Sequence, residues 1–136
     1  MRAPCLRWTR EIGDDRGSSP VEFVLVGLML TVLTLGVLQL GLAIYVRNIV
    51  HDAAVEGAFH GALADTTPQE GAERTREIIA RTVGAAYAAD VSAQTAVDAR
   101  GAFVVVIVRA PLPVAGLLGA PRAMEVTAHA PQESLD

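Results

Sequence analysis

Between Phe23 and Val46 the chain runs through 24 residues without one charged side chain, FVLVGLMLTVLTLGVLQLGLAIYV. At a rise of about 1.5 Å per residue this stretch makes a helix about 36 Å long, enough to cross a hydrocarbon core of about 30 Å. A helix of a water-soluble core needs apolar residues on one stripe, whereas here they occupy every face. The stretch therefore reads as a transmembrane helix with membrane lipid as its surroundings, and the remaining chain is too short to add a large catalytic core.

The flanks orient it. Arg2, Arg7, Arg10 and Arg16 precede the span and Arg47 alone follows it closely, so the excess of positive charge on short flanks places the N-terminus in the cytoplasm and the C-terminal part outside. The division expected is a cytoplasmic leader over 1–17, a transmembrane helix over 18–46 and an extracytoplasmic α+β domain over 47–136.

Beyond Arg47, helical spacing persists through Ile49, Ala53, Val55 and Phe59, so the first helix is expected to continue outside to about Ala64. Asp65-Thr66-Thr67-Pro68 breaks it and starts a second: Thr67 caps, Pro68 takes the first position and Glu70 the first turn. That helix is expected over Gln69 to Ala89, amphipathic, with Ala72, Ile79, Val83, Ala86 and Tyr87 on one side. From Val91 the period becomes two. Val91 to Val97, a turn at Asp98-Ala99-Arg100-Gly101, and Ala102 to Arg109 read as a β-hairpin. A loop through Pro111, Pro113, Gly116 and Gly119 leads to a third strand near Met124 to Ala128. The fold class is α+β, with about three antiparallel strands.

Several function classes lack the residues they require. Cys5 is the single cysteine, which excludes an intramolecular disulfide and a cysteine-based zinc site. All eleven basic residues are arginines, scattered along a chain of net charge -4, which is no basic stripe for nucleic acid. His51 and His60 are not spaced as an i, i+4 pair, His129 is remote, and no HExxH occurs, so no metal is expected. No nucleotide-binding glycine motif and no G-x-S-x-G elbow is present, so neither a cofactor nor an enzymatic activity is expected.

Other residues carry more information. Glu22 stands at the head of the apolar run, where a carboxylate is costly unless it remains among headgroups or finds a partner. Cleavage after Gly17 would make Ser18 the first residue and Glu22 the fifth, one helical turn from the new amine. In an assembly that carboxylate could meet a neighbour's amine and align two subunits axially. Gln39 is the polar residue best placed to join helices within the span. Gly57 and Gly61 form a GxxxG pair with Ala53 upstream, beside the parallel row Ala54, Ala58 and Ala62. Such rows permit close helix approach, and they also follow simply from abundant alanine; spacing leaves both open.

Arg16, Gly17 and Glu22 resemble the processing site of type IV pilin-like proteins, in which a short basic leader ends in glycine and a glutamate takes the fifth mature position. More particularly, RGSSPVEF, the membrane exit LGVLQLGLAIYVRN and the helix DAAVEGA, together Arg16 to Ala58, are similar to TadE-like pseudopilins of the tight-adherence (Tad, or Flp) pilus machinery. The resemblance implies a minor pilin processed between Gly17 and Ser18. Its implied partners are a prepilin peptidase, other pilin or pseudopilin subunits and the assembly machinery, with Glu22 and Phe23 at the head of the assembling helix. Two other readings predict different N-termini: Met1 for a signal-anchored binding or sensory module, and Ile44 for a secreted protein.

Overall fold

The computed structural model describes residues 18–112 and 124–133. The leader with Gly17 and Cys5, and the loop bearing Gly116 and Gly119, lie outside the described residues. The elements are α1 (Ser18–Gly61), α2 (Pro68–Thr82), a 3-10 turn (Ala85–Ala88), then β1 (Asp90–Asp98), β2 (Gly101–Ala110) and β3 (Met124–Pro131). The strands form one antiparallel sheet in the order β1-β2-β3, so the architecture is α+β. The chain divides into two compact units that meet between Gly36 and Val37.

In the first unit α1 is apolar on every face from Phe23 onward, and Val21, Phe23, Leu28 and Leu33 are all more than half exposed. Leucine, valine and methionine without a proline or a charge sustain the helix, and the Thr31 and Thr34 hydroxyls donate to the carbonyls of Gly27 and Leu30, each at 2.8 Å.

The second unit carries the core. On the sheet's inner face Val104, Val106, Val108 and Ala110 of β2 stand opposite Ala130, Ala128, Val126 and Met124 of β3, and all eight are buried. Period-two alternation is cleanest in β3, where every second residue is buried, as expected of a sheet with one face on the core. In β1 the buried face fades toward the turn, from Val91 in the core to Val97 at 77% exposed. The hairpin closes with Asp98 opposite Gly101; Asp98 Oδ1 accepts from the Arg100 backbone N–H at 2.7 Å, and Gly101 takes φ +125°, open to glycine at no steric cost.

α2 starts as its sequence dictates. The Thr67 N–H donates to Glu70 Oε2 at 2.7 Å while the Glu70 N–H donates to Thr67 Oγ1 at 3.3 Å, a reciprocal capping box ahead of Pro68. It ends earlier than the expected Ala89. The N–H groups of Val83 and Gly84 both close on the Ile79 carbonyl, and Gly84 at φ +110° turns the chain into the 3-10 segment. α1 likewise ends at Gly61 rather than Ala64, and the Ala62 carbonyl just past its end accepts from the Glu133 backbone N–H at 2.9 Å. That bond ties the residues after β3 to the end of α1.

The face α1 buries in this unit also differs from the one its large residues suggest. Val46, Val50, Ala53, Ala54 and Ala58 are buried, while Phe59 is 56% exposed and Ile49 and Val55 only partly buried. That face runs into the small-residue row at Gly57, where α2 comes too close for a Cβ.

Candidate functional site

That close approach centres on three glycines. A Cβ on Gly57 would lie 2.5 Å from the Gly71 carbonyl oxygen and overlap Thr75 Oγ1, and a Cβ on Gly71 would overlap the Gly57 carbonyl and come to 3.0 Å from Gly61 Cα. Gly61 is less tight, with its nearest neighbours, Pro68 and Thr67 atoms, at 3.2 Å. Thr75, wholly buried, donates its hydroxyl to the Gly71 carbonyl at 2.9 Å, with the Ala53 carbonyl at 3.3 Å. The Gly57 and Gly61 pair thus serves packing of α1 on this chain's own α2. Gly71 and Thr75 are the half of this contact that sequence reasoning missed; the only signal was a glycine in the first turns of an amphipathic helix, where alanine would be the better helix former.

Ion pairs fasten the same two helices at the surface. Arg74 reaches Glu56 Oε1 through Nε at 3.0 Å and Nη2 at 2.7 Å, and hydrogen bonding to Glu56, reinforced by its charge, raises the guanidinium's pKa. Glu70 moves the other way: the backbone hydrogen bond from Thr67, and then its hydroxyl, hold the carboxyl below its ordinary value. A groove of about 1020 Å³ lies beside these pairs, lined by Phe59, His60 and Leu63 of α1, Glu73 and Glu77 of α2, and Glu133. Its carboxylates are mostly engaged, Glu73 by Arg76 at 2.5 Å and Glu77 by Arg81 at 2.6 Å. The histidines do not converge. His51 stands 3.7 Å from Asp52, His60 lines the groove and His129 packs edge-on against Phe103 at 5.7 Å. Among the described residues no group of three or more His, Cys, Asp or Glu is placed to hold a metal ion.

The residues expected to act in assembly occupy the N-terminal part of α1. Ser18 begins the helix and Glu22 lies within its first two turns, followed by Phe23, 80% exposed. Gly27, Gly36 and Gly41 have no atom within 4 Å of a Cβ built on them, so the span presents open small-residue positions between exposed leucines and valines. α1 meets the length and composition needed to cross a membrane, starting at Ser19. Gln39 is partly buried, and its Oε1 is enclosed without a hydrogen-bond partner.

Chemically, this arrangement offers an apolar rod headed by a carboxylate and a small domain locked to its own half of the helix, with no convergent set of acid, base and nucleophile among the described residues. A family model described as TadE-like protein matches residues 17–58, the segment that contains Ser18, Glu22, the whole apolar run and Gly57. Comparison with curated proteins and with solved structures finds no match.

Proposed function

The chain carries a TadE-like segment over residues 17–58, and on that premise we propose that it is a pilin-like structural subunit of a Tad-type pilus assembly. Its leader is cut by a prepilin peptidase between Gly17 and Ser18, the span holds the subunit in the membrane until assembly, and the α+β domain lies outside the cytoplasm. It acts by packing and not by catalysis.

The observation that carries this reading is the coincidence, inside the matched segment, of the Gly17-Ser18 junction with an α1 whose residues from Phe23 to Leu38 are uncharged and all solvent-exposed. A side-chain surface of that kind is stable only in lipid or against other apolar helices. Cleavage adds a positive amine at Ser18, and Glu22 then stands about 6 Å up the helix axis. Across a subunit boundary in a water-poor bundle, the carboxylate and a neighbour's amine attract by roughly 4 kcal/mol at 4 Å separation and an effective dielectric of about 20. A subunit slipped along the axis forfeits that attraction, which gives the assembly a register.

The test is the mass and N-terminal sequence of the protein from its native membrane, with and without the prepilin peptidase. A start at Ser18 that requires the peptidase is expected. An intact Met1 in both strains would refute the reading and leave a signal-anchored module in its place.

A further inference from the structure

The last turns of the apolar run are shared between two surroundings. Leu38, Leu40, Ile44 and Tyr45 are more than half exposed, and apolar side chains in that state call for lipid. On the same turns another face, through Gln39, Ala43 and Val46, is covered by the chain's own atoms, partly at the first two and down to 3% exposure at Val46. Val46 is both the last residue of the run and a member of the core that holds Val108, Ala110 and Met124. The core of the α+β unit therefore begins inside the stretch that crosses the membrane.

Length fixes the height of Val46. A run of about 36 Å exceeds a hydrocarbon core of about 30 Å by about 6 Å, and each headgroup layer is about 5–7 Å deep, so even with the whole surplus on one side Val46 stands among headgroups. α2 descends to the same level. Gly71 lies against Gly57 and Thr75 against the Ala53 carbonyl, so each step along α2 moves one step back along α1, and Thr82 at the end of α2 comes level with Val46. There Gly84 turns the chain into the 3-10 segment. Residues 83–89, VGAAYAA, carry no charged side chain. Val83 and Tyr87 pack on the core, while Ala85, Ala86 and Ala89 are exposed. The chain has two tyrosines, and both Tyr45 and Tyr87 fall near this level, the depth that suits a ring with a polar tip. The other end of the sheet is tied to the far end of α1, where the Gln132 N–H donates to the Ala102 carbonyl and the Glu133 N–H to the Ala62 carbonyl.

We propose that the uncharged segment 83–89 rests among the phospholipid headgroups of the leaflet on the domain's side, as a second membrane contact beside the span. The contact rests on α1 crossing a membrane and not on cleavage or on the pilus reading. It seats one end of the α+β unit on the bilayer and leaves the Asp98 to Gly101 turn, about 27 Å along β1 from Asp90, in water.

The test is tryptophan fluorescence of full-length chains in vesicles of phosphatidylcholine brominated on the acyl chain close to the headgroup. Trp8→Phe removes the single native tryptophan, and one tryptophan is then introduced at a time: Ala85→Trp or Ala86→Trp in the segment, both at exposed positions, Val97→Trp near the far end of β1, where the side chain is 77% exposed, and Leu33→Trp within the span. Ala85→Trp and Ala86→Trp are expected to lose emission to the bromines and to emit at shorter wavelength. Val97→Trp, which carries the same intrinsic preference of tryptophan for the interface, is expected to keep its emission in these vesicles and to lose it to iodide in the water. Quenching of Ala85→Trp and Ala86→Trp by bromine no greater than that of Val97→Trp, with Leu33→Trp quenched, would overturn the proposal and leave the span in place. An unquenched Leu33→Trp would overturn the span and the proposal with it. Neither result depends on where the N-terminus is cut, so failure here and failure of the pilus reading are separable.

Discussion

The contact of α1 with α2 sets a graded expectation for adding a single methyl group. In Gly57→Ala the new Cβ would stand 2.5 Å from the Gly71 carbonyl oxygen and overlap the hydroxyl of buried Thr75. Ordinary contact is about 3.5 Å, so the helices must part by about 1 Å or Thr75 must surrender its bond to the Gly71 carbonyl. Overpacking of this kind costs about 1–3 kcal/mol, and a hydrogen bond lost in a buried site adds about 1 kcal/mol. Against this, alanine gains about 1 kcal/mol over glycine in helix propensity. The balance is a loss of about 2 kcal/mol, which lowers Tm by roughly 10 °C in a domain of this size. Gly71→Ala should behave alike, since it meets the Gly57 carbonyl and the Gly61 backbone. Gly61→Ala should be close to neutral: its neighbours begin at 3.2 Å, a few tenths of an ångström of adjustment that the propensity gain offsets. The assay is thermal unfolding of the full chain in detergent, followed by the tyrosine circular dichroism of Tyr45 and Tyr87. A Gly57→Ala chain as stable as the native one, or a series in which Gly61→Ala is worst, would refute the idea that these glycines exist to let α2 approach.

Three further outcomes follow from single residues. Thr67→Ala removes the capping box and should destabilise the second unit by about 1 kcal/mol. Because Thr67 lowers the Glu70 pKa in the folded chain, the stability linked to Glu70 is present above the ordinary carboxylate pKa and lost as pH falls through the lowered folded value; melts in that acid window should show a shallower slope for Glu70→Gln. In cells, Glu22→Ala and Glu22→Gln should leave cleavage at Ser18 intact while incorporation into the assembly falls roughly tenfold or more, as expected from losing even a third of the attraction estimated for the ion pair. Normal incorporation of either variant, measured by immunoblot of the sheared surface fraction, would remove Glu22 from a role in register.

Much of this chain is encoded locally and could be read one segment at a time. The apolar run from Phe23, the Thr67-Pro68-Glu70 helix start and the Asp98 to Gly101 turn depend on residues within a few positions of one another, and each stands in the structure where the sequence places it. The end of α2 shows where local reading falters. Apolar spacing continues through Val83, Ala86 and Tyr87, but the positive φ of Gly84 interrupts the helix despite it.

Which face of α1 is buried was decided only by tertiary packing. Between Arg47 and Ala64 alanine, valine and glycine surround the helix, so several faces are comparably apolar, and spacing offers Ile49, Ala53, Val55 and Phe59 as well as the small-residue rows through Ala53, Gly57 and Gly61 and through Ala54, Ala58 and Ala62. The tertiary structure buries Val46, Val50, Ala53, Ala54 and Ala58, and beside them, at Gly57, the Gly71 carbonyl and Thr75 of α2 come so close that not even a Cβ has room. Periodicity records how apolar a face is. It does not record the distance of the partner that will cover it, and here that distance, set by glycines far apart along the chain, makes the choice.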